Sequence, residues 1–154
     1  QIERNETNPT LATLSRLSQA LGVSVETVFA QEEKADTPLV QHARIQDTPL
    51  LKSQDGLCEL RIIGWIETVQ WAQWYDFQAQ PGGRLESSPH PDGSVENLTI
   101  LKGALEVHVD GHVWQAAQGE TLRYHADRPH MIINTGDVPA QATMVNILAH
   151  AIRT

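Results

Sequence analysis

His90, Glu96, His130 and Asn134 carry the chemistry most readily read from this chain. The first two lie in His90-Pro-Asp-Gly-Ser-Val-Glu96, with Gly103 seven positions beyond the glutamate. The others lie in Gly119-(five residues)-His125-Ala-Asp127-Arg-Pro-His130-(three residues)-Asn134. Two imidazoles and a carboxylate can hold a divalent ion if strands bring them together, leaving coordination positions for water or a ligand carboxylate. Two neutral imidazoles, one carboxylate and a divalent ion make a site of net charge +1. Donor type is compatible with zinc, iron, nickel or manganese, and zinc is the first expectation.

The other histidines lack such a pattern. His108 alternates with Val107 and Val109 and is expected to face solvent beside a turn. His112 reads as a hairpin surface residue, and His125 as structurally placed. Asn134 is expected to hydrogen-bond a loop or a ligand's neighbour. Beyond His90, Glu96 and His130 no general base stands out, so no catalytic residue is assigned. Asp92 is a possible fourth ligand but reads better as a turn residue beside Gly93, so three protein ligands are expected. A small anionic effector is the natural partner for such an ion. Arg123, Arg84, Tyr124 and Asp92 are the candidate effector-binding residues. Trp65, Trp71, Trp74, Tyr75 and Phe77 are expected to pack in the core and sheet, one or two of them walling a pocket.

The elements that must position these residues are strands. Val95–Leu101 and Ala104–Val109 are apolar-rich runs separated by Lys102-Gly103. Asp110-Gly111 signals a two-residue hairpin leading into His112–Ala116. Thr121–His125, Met131–Asn134 and Ala140–Leu148 follow. Many short strands at close spacing indicate a sandwich or barrel.

The start of the chain reads differently. Asn8 or Thr10 can cap a helix, Leu11, Leu14, Leu17 and Leu21 form one apolar stripe, and Gly22 is a natural stop. Ser24 can cap a short second helix over Val25–Ala30. Residues 34–56 read as a polar connector, with Leu39–Ile45 as a possible edge strand. The expected division is therefore 1–33 helical, 34–56 linker and 57–154 barrel.

Composition bounds the function. The chain has 154 residues, 40% hydrophobic and 19% charged, which fits a globular domain with a short extra piece. A net charge of −8 argues against these residues gripping nucleic acid through a basic face. Cys58 is the only cysteine, which excludes an intramolecular disulfide, and its apolar setting suggests a buried inert thiol. No apolar run approaches the roughly 20 residues of a membrane span, and a reducing cytoplasm fits best.

Residues 57–150 resemble the cupin family. In that family a first motif places two His one residue apart, then a Glu and a Gly, and a second runs Gly, Pro, Gly, His, Asn. His90, Glu96 and Gly103 match the first, with Asp92 in place of its second His. Gly119, His130 and Asn134 match the second, with His125 and Asp127 in place of Pro and Gly. The resemblance implies an all-β double-stranded β-helix barrel, jelly-roll-like, whose mouth collects the ligands.

Residues 1–29, from Gln1-Ile-Glu-Arg through Pro9-Thr and the leucine-rich helix to Val28-Phe29, resemble the end of an Xre-type helix-turn-helix domain. Its first helices and the base-reading part of its recognition helix would precede Gln1, so no DNA-binding residue is assigned within 1–154. The order helix-turn-helix then cupin resembles bacterial transcription regulators. Gln-Ile-Glu-Arg-Asn-Glu, Ser-Ser-Pro-His and Gly-Glu-x-x-Arg-Tyr resemble those of sulfur utilisation. This implies a homodimer that meets double-stranded DNA through N-terminal helices and an effector such as an amino acid or sulfur compound. Two other functions compete: a cupin metalloenzyme such as a dioxygenase or isomerase, and a metal-free dimerisation module.

Overall fold

In a computed structural model, residues 38–149 are described, and the helices expected within 1–33 lie outside them. Ten strands form two sheets. They are β1 (Leu50–Lys52), β2 (Cys58–Ile62), β3 (Ala72–Ala79), β4 (Arg84–Ser87) and β5 (Val95–Lys102). After these come β6 (Ala104–Val109), β7 (His112–Ala117), β8 (Thr121–His125), β9 (His130–Ile133) and β10 (Ala140–Ile147). The larger sheet has the order β1-β2-β3-β10-β5-β8 and the smaller β4-β9-β6-β7. Every pairing is antiparallel. The chain changes sheet after β3, β4, β5, β7, β8 and β9, so consecutive strands wind around one core. This is the double-stranded β-helix barrel that the cupin resemblance implies.

Period-two alternation makes these runs half-buried strands. Tyr75, Phe77 and Ala79 point inward from β3, Leu98 and Ile100 from β5, and Ala142 and Met144 from β10. Leu105, Val107 and Ile132 meet them from the smaller sheet. Among the turns with a left-handed backbone, two flank β6. Asp110 (φ 51°) and Gly111 (φ 78°) make the expected tight hairpin between β6 and β7. Gly103 (φ 76°) turns the chain from β5 to β6, where a Cβ would stand 3.2 Å from Ala140 Cα.

Three expectations are corrected. Leu39–Ile45 forms no strand; a 3-10 turn covers Ile45–Asp47, and Arg61 Nη1 donates to the Ile45 carbonyl at 2.8 Å. The barrel begins at Leu50, inside the stretch read as connector, because β1 pairs with β2 and Leu51 is fully buried in the core. Trp65, Trp71 and Trp74 are exposed rather than packed inside, since alternation along β3 turns Tyr75 and Phe77 inward and Trp74 outward. Cys58 is buried, as expected, and burial pushes its thiol up to about 11.

Candidate metal centre

The two sequence motifs are stitched together by backbone hydrogen bonds. His90 N donates to the Ala126 carbonyl at 2.8 Å and Ala126 N to the Ser94 carbonyl at 3.0 Å. Gly93 N donates to Asp127 Oδ2 at 2.8 Å. The loop carrying His90 is thereby pinned to the segment that leads into His130. Glu96 projects inward from the start of β5, and His130 opens β9 on the facing sheet.

One ligand atom from each of His90, Glu96 and His130 lies within 4.8 Å of the others. Glu96 Oε2 stands 3.6 Å from His130 Nε2 and 3.8 Å from His90 Nε2, ion-pair separations longer than a good hydrogen bond. Glu96 is 1% exposed and His130 5%, while His90 is half-buried at the rim.

Hydrogen bonding fixes the orientation of both buried ligands. His130 Nδ1 lies 2.8 Å from the Arg128 carbonyl, which can only accept, so Nδ1 carries a proton. Neutral His130 then turns a bare Nε2 toward the cluster, where it has no hydrogen-bond partner among the described residues. Tyr124, directly opposite Glu96 on β8, donates its hydroxyl to Glu96 Oε1 and leaves Oε2 facing the imidazoles.

A lone pair and a carboxylate oxygen facing each other in a buried site need a positive charge between them. Either a proton or a metal ion supplies it. Burial pushes Glu96 up, but the facing His130 and His90 imidazoles and the Tyr124 hydroxyl outweigh it and bring the carboxyl down to about 2. Burial opposes charge on His130 as well, and Glu96 overcomes that, raising His130 above its ordinary value. Burial and the Glu96 charge hold the Tyr124 phenol well above its usual range, so it remains a donor. The residues present fit a divalent ion held by His90, Glu96 and His130.

Other candidate residues fall elsewhere. Of the four effector candidates, Tyr124 hydrogen-bonds to the cluster through Glu96. Arg123 is exposed on the opposite face of β8, because Leu122 and Tyr124 take the inward positions. Arg84 is exposed on β4, where Leu85 points inward. Asp92 is exposed in the turn beside Gly93 and outside the metal group. Asn134 is fully buried and holds a loop, donating to the Ala79 and Val138 carbonyls and accepting from Gly136 N. His108 is half-buried against Glu106 rather than open to solvent, while His112 and His125 are exposed.

Two neighbours of the cluster escaped sequence reasoning. Gln73 and Asn146 are each 3% exposed and lie across β3 and β10 from one another. Asn146 is in turn directly opposite Glu96 on β5. A row of four polar side chains, Gln73, Asn146, Glu96 and Tyr124, thus crosses the larger sheet on its inner face. The signal was a polar residue at an inward position of an alternating strand, next to apolar inward neighbours such as Met144 and Tyr75.

Comparison with known proteins gives the same architecture. The cupin-domain family model matches residues 75–146. The transcriptional regulator SutR of Escherichia coli is 33% identical over 141 residues, covering 89% of this chain and 71% of SutR. PuuR of the same organism is 24% identical over 134 residues, covering 87% of this chain and 70% of PuuR. Among solved structures, an HTH_3 family transcriptional regulator from Vibrio cholerae superposes with a TM-score of 0.66 at 24% identity, covering 96% of this chain and 76% of that one. The cupin domain of an XRE family regulator from Enterobacter cloacae gives 0.55 at 21% identity, covering 59% of this chain and 96% of that one. At these identities the structural likenesses speak to fold alone.

Proposed function

The chain belongs to the family of helix-turn-helix transcriptional regulators that carry a cupin domain, and on that premise we propose that its barrel is a metal-dependent effector sensor. The single observation that carries this reading is the buried Glu96 carboxylate facing the bare Nε2 of His130 and the Nε2 of His90. Those three residues hold a divalent ion, zinc first, with iron, nickel or manganese as alternatives. Tyr124 orients the carboxylate. The ion supplies a positive centre for an anionic effector, an amino acid or a sulfur compound.

Effector binding would shift a homodimer between two arrangements of its DNA-binding heads, which requires tighter binding to one of them. DNA contact belongs to the helix-turn-helix, which residues 1–33 are read as closing, in the cytoplasm. A dimer matches two half-sites. On the outer face of the larger sheet, Trp74, Ile147 and Ile63 are exposed and offer apolar area for the second copy. The site holds a signal rather than transforming a substrate, and no residue is assigned a catalytic role.

The test is DNA binding by the full-length regulator at moderate salt, metal-loaded and chelated, with and without an amino-acid and thiol panel. Sequence-specific binding that responds to metal and to a panel member is expected. Absence of specific binding under every condition would sink the proposal, and so would turnover of panel compounds by the iron-loaded protein.

A further inference from the structure

We propose that Asn146 is a fourth protein ligand, giving the ion a neutral oxygen through its side-chain carbonyl. The inference rests on the metal-holding reading above and replaces the expectation of three protein ligands. Three observations carry it. Asn146 is 3% exposed, and its Oδ1 has no hydrogen-bond partner among the described residues. Buried carbonyl oxygens are rarely left so, because an uncompensated acceptor retains its full desolvation cost.

The second observation is that the amide's orientation is dictated from one side. Gln73 Nε2 donates to the Val69 carbonyl at 3.3 Å, which fixes Gln73 with its oxygen toward β10. Gln73 Oε1 then accepts from Tyr75 and from Asn146 Nδ2, each at 3.3 Å. An oxygen in place of that Nδ2 would face another acceptor, so Oδ1 must be the end turned away from Gln73.

The third is position. Asn146 is directly opposite Glu96 on the inner face of the sheet. Its Nδ2 makes a long contact of 3.4 Å with His90 Nε2, so the amide group borders the cluster. Carbonyl oxygen suits divalent ions that accept mixed nitrogen and oxygen donors. Asp92, at the place of the missing second imidazole, lies outside the group, so the fourth donor comes from β10 instead. A neutral fourth donor leaves the site at net +1, still attractive to an anion.

Cobalt(II) is the probe, because its visible absorption reports coordination number and donor set. Full-length wild type, Asn146→Ala and Asn146→Asp would be titrated with cobalt alone. The proposal expects Asn146→Ala to bind on the order of 10- to 100-fold more weakly, with an altered spectrum. Asn146→Asp keeps an oxygen there and should bind at least as tightly as wild type. Unchanged affinity and spectrum in Asn146→Ala would overturn the proposal while leaving the metal reading intact. Equal loss in Asn146→Asp would also overturn it, showing that the amide acts through Gln73. Wild type that takes up no cobalt would overturn both. Should Asn146→Ala fail to fold, a crystal structure of cobalt-loaded wild type decides, since Oδ1 must lie at bonding distance, about 2.0–2.2 Å.

Discussion

Tyr124 and Glu96 stand directly opposite each other on β8 and β5, and the phenol donates to the carboxylate oxygen that faces away from the imidazoles. This arrangement leaves Glu96 one oxygen for an ion. Tyr124→Phe keeps the ring and removes only the donor. We expect metal affinity to fall on the order of 10-fold, as for other groups that orient a metal ligand. Zinc competition titration checks this; affinity equal to wild type would show that Glu96 needs no such partner.

Acid and base should act oppositely on the metal-free protein. Glu96 is held at about 2 against an ordinary 4.5, so its stabilising contribution is complete above 4.5 and is lost as pH falls toward 2. His130 is raised above 6.5, so its contribution is complete below 6.5 and is lost as pH rises through its folded value. The paired charges therefore help most between about 4.5 and 6.5, and chelated protein should lose stability as pH rises above that window. A divalent ion replaces the proton on His130, so zinc should raise the melting temperature more at pH 8 than at pH 6. Thermal melts with chelator and with zinc measure both trends. A zinc effect that shrinks with rising pH would contradict the assignment.

Much of the barrel was readable because its strands alternate and its turns carry specific residues. Val95–Lys102, Ala104–Val109 and Ala140–Ile147 lie within a residue or so of their expected limits, and Asp110-Gly111 makes the hairpin it signalled. His90, Glu96 and His130 converge as the cupin resemblance of their two motifs implied. The rest depended on register, which no local pattern contains. Only strand pairing places Asn146 beside Glu96 and Tyr124 beside it on the other flank. Leu50–Lys52 was missed because a three-residue edge strand next to a Thr-Pro shows no periodicity to read. Arg123 and Arg84 were chosen by charge alone, and alternation turned both outward.

The clamp between the two motif loops should matter to metal more than to folding. Asp127 Oδ2 accepts from Gly93 N at 2.8 Å, tying the His90 loop to the segment before His130. Asp127→Ala removes one hydrogen bond of a charged acceptor, costing about 1.5–3 kcal/mol at most. Freed of that tie, His90 loses its fixed place, and metal binding should weaken several-fold more than in a surface control such as Gln118→Ala. Calorimetric titration with zinc, run beside denaturant melts, separates the two effects; unchanged affinity would show that backbone bonds from His90 and Ala126 suffice.

Two aromatic positions on β3, three residues apart, should respond in opposite ways to truncation. Phe77 is fully buried in the core between the sheets, whereas Trp74 is 50% exposed on the outer face. Phe77→Ala removes packed volume from an interior that cannot collapse around it, and a loss of about 3–5 kcal/mol is expected. Trp74→Ala removes a larger side chain yet leaves no cavity, so its effect on folding stability should stay within about 1 kcal/mol. Its consequence should lie in association instead, because it strips apolar area from the face proposed for the second copy. Denaturant unfolding ranks the two variants, and sedimentation over a dilution series reads self-association. A Trp74→Ala protein as unstable as Phe77→Ala would mean that the outer face is a second packed surface within the single chain.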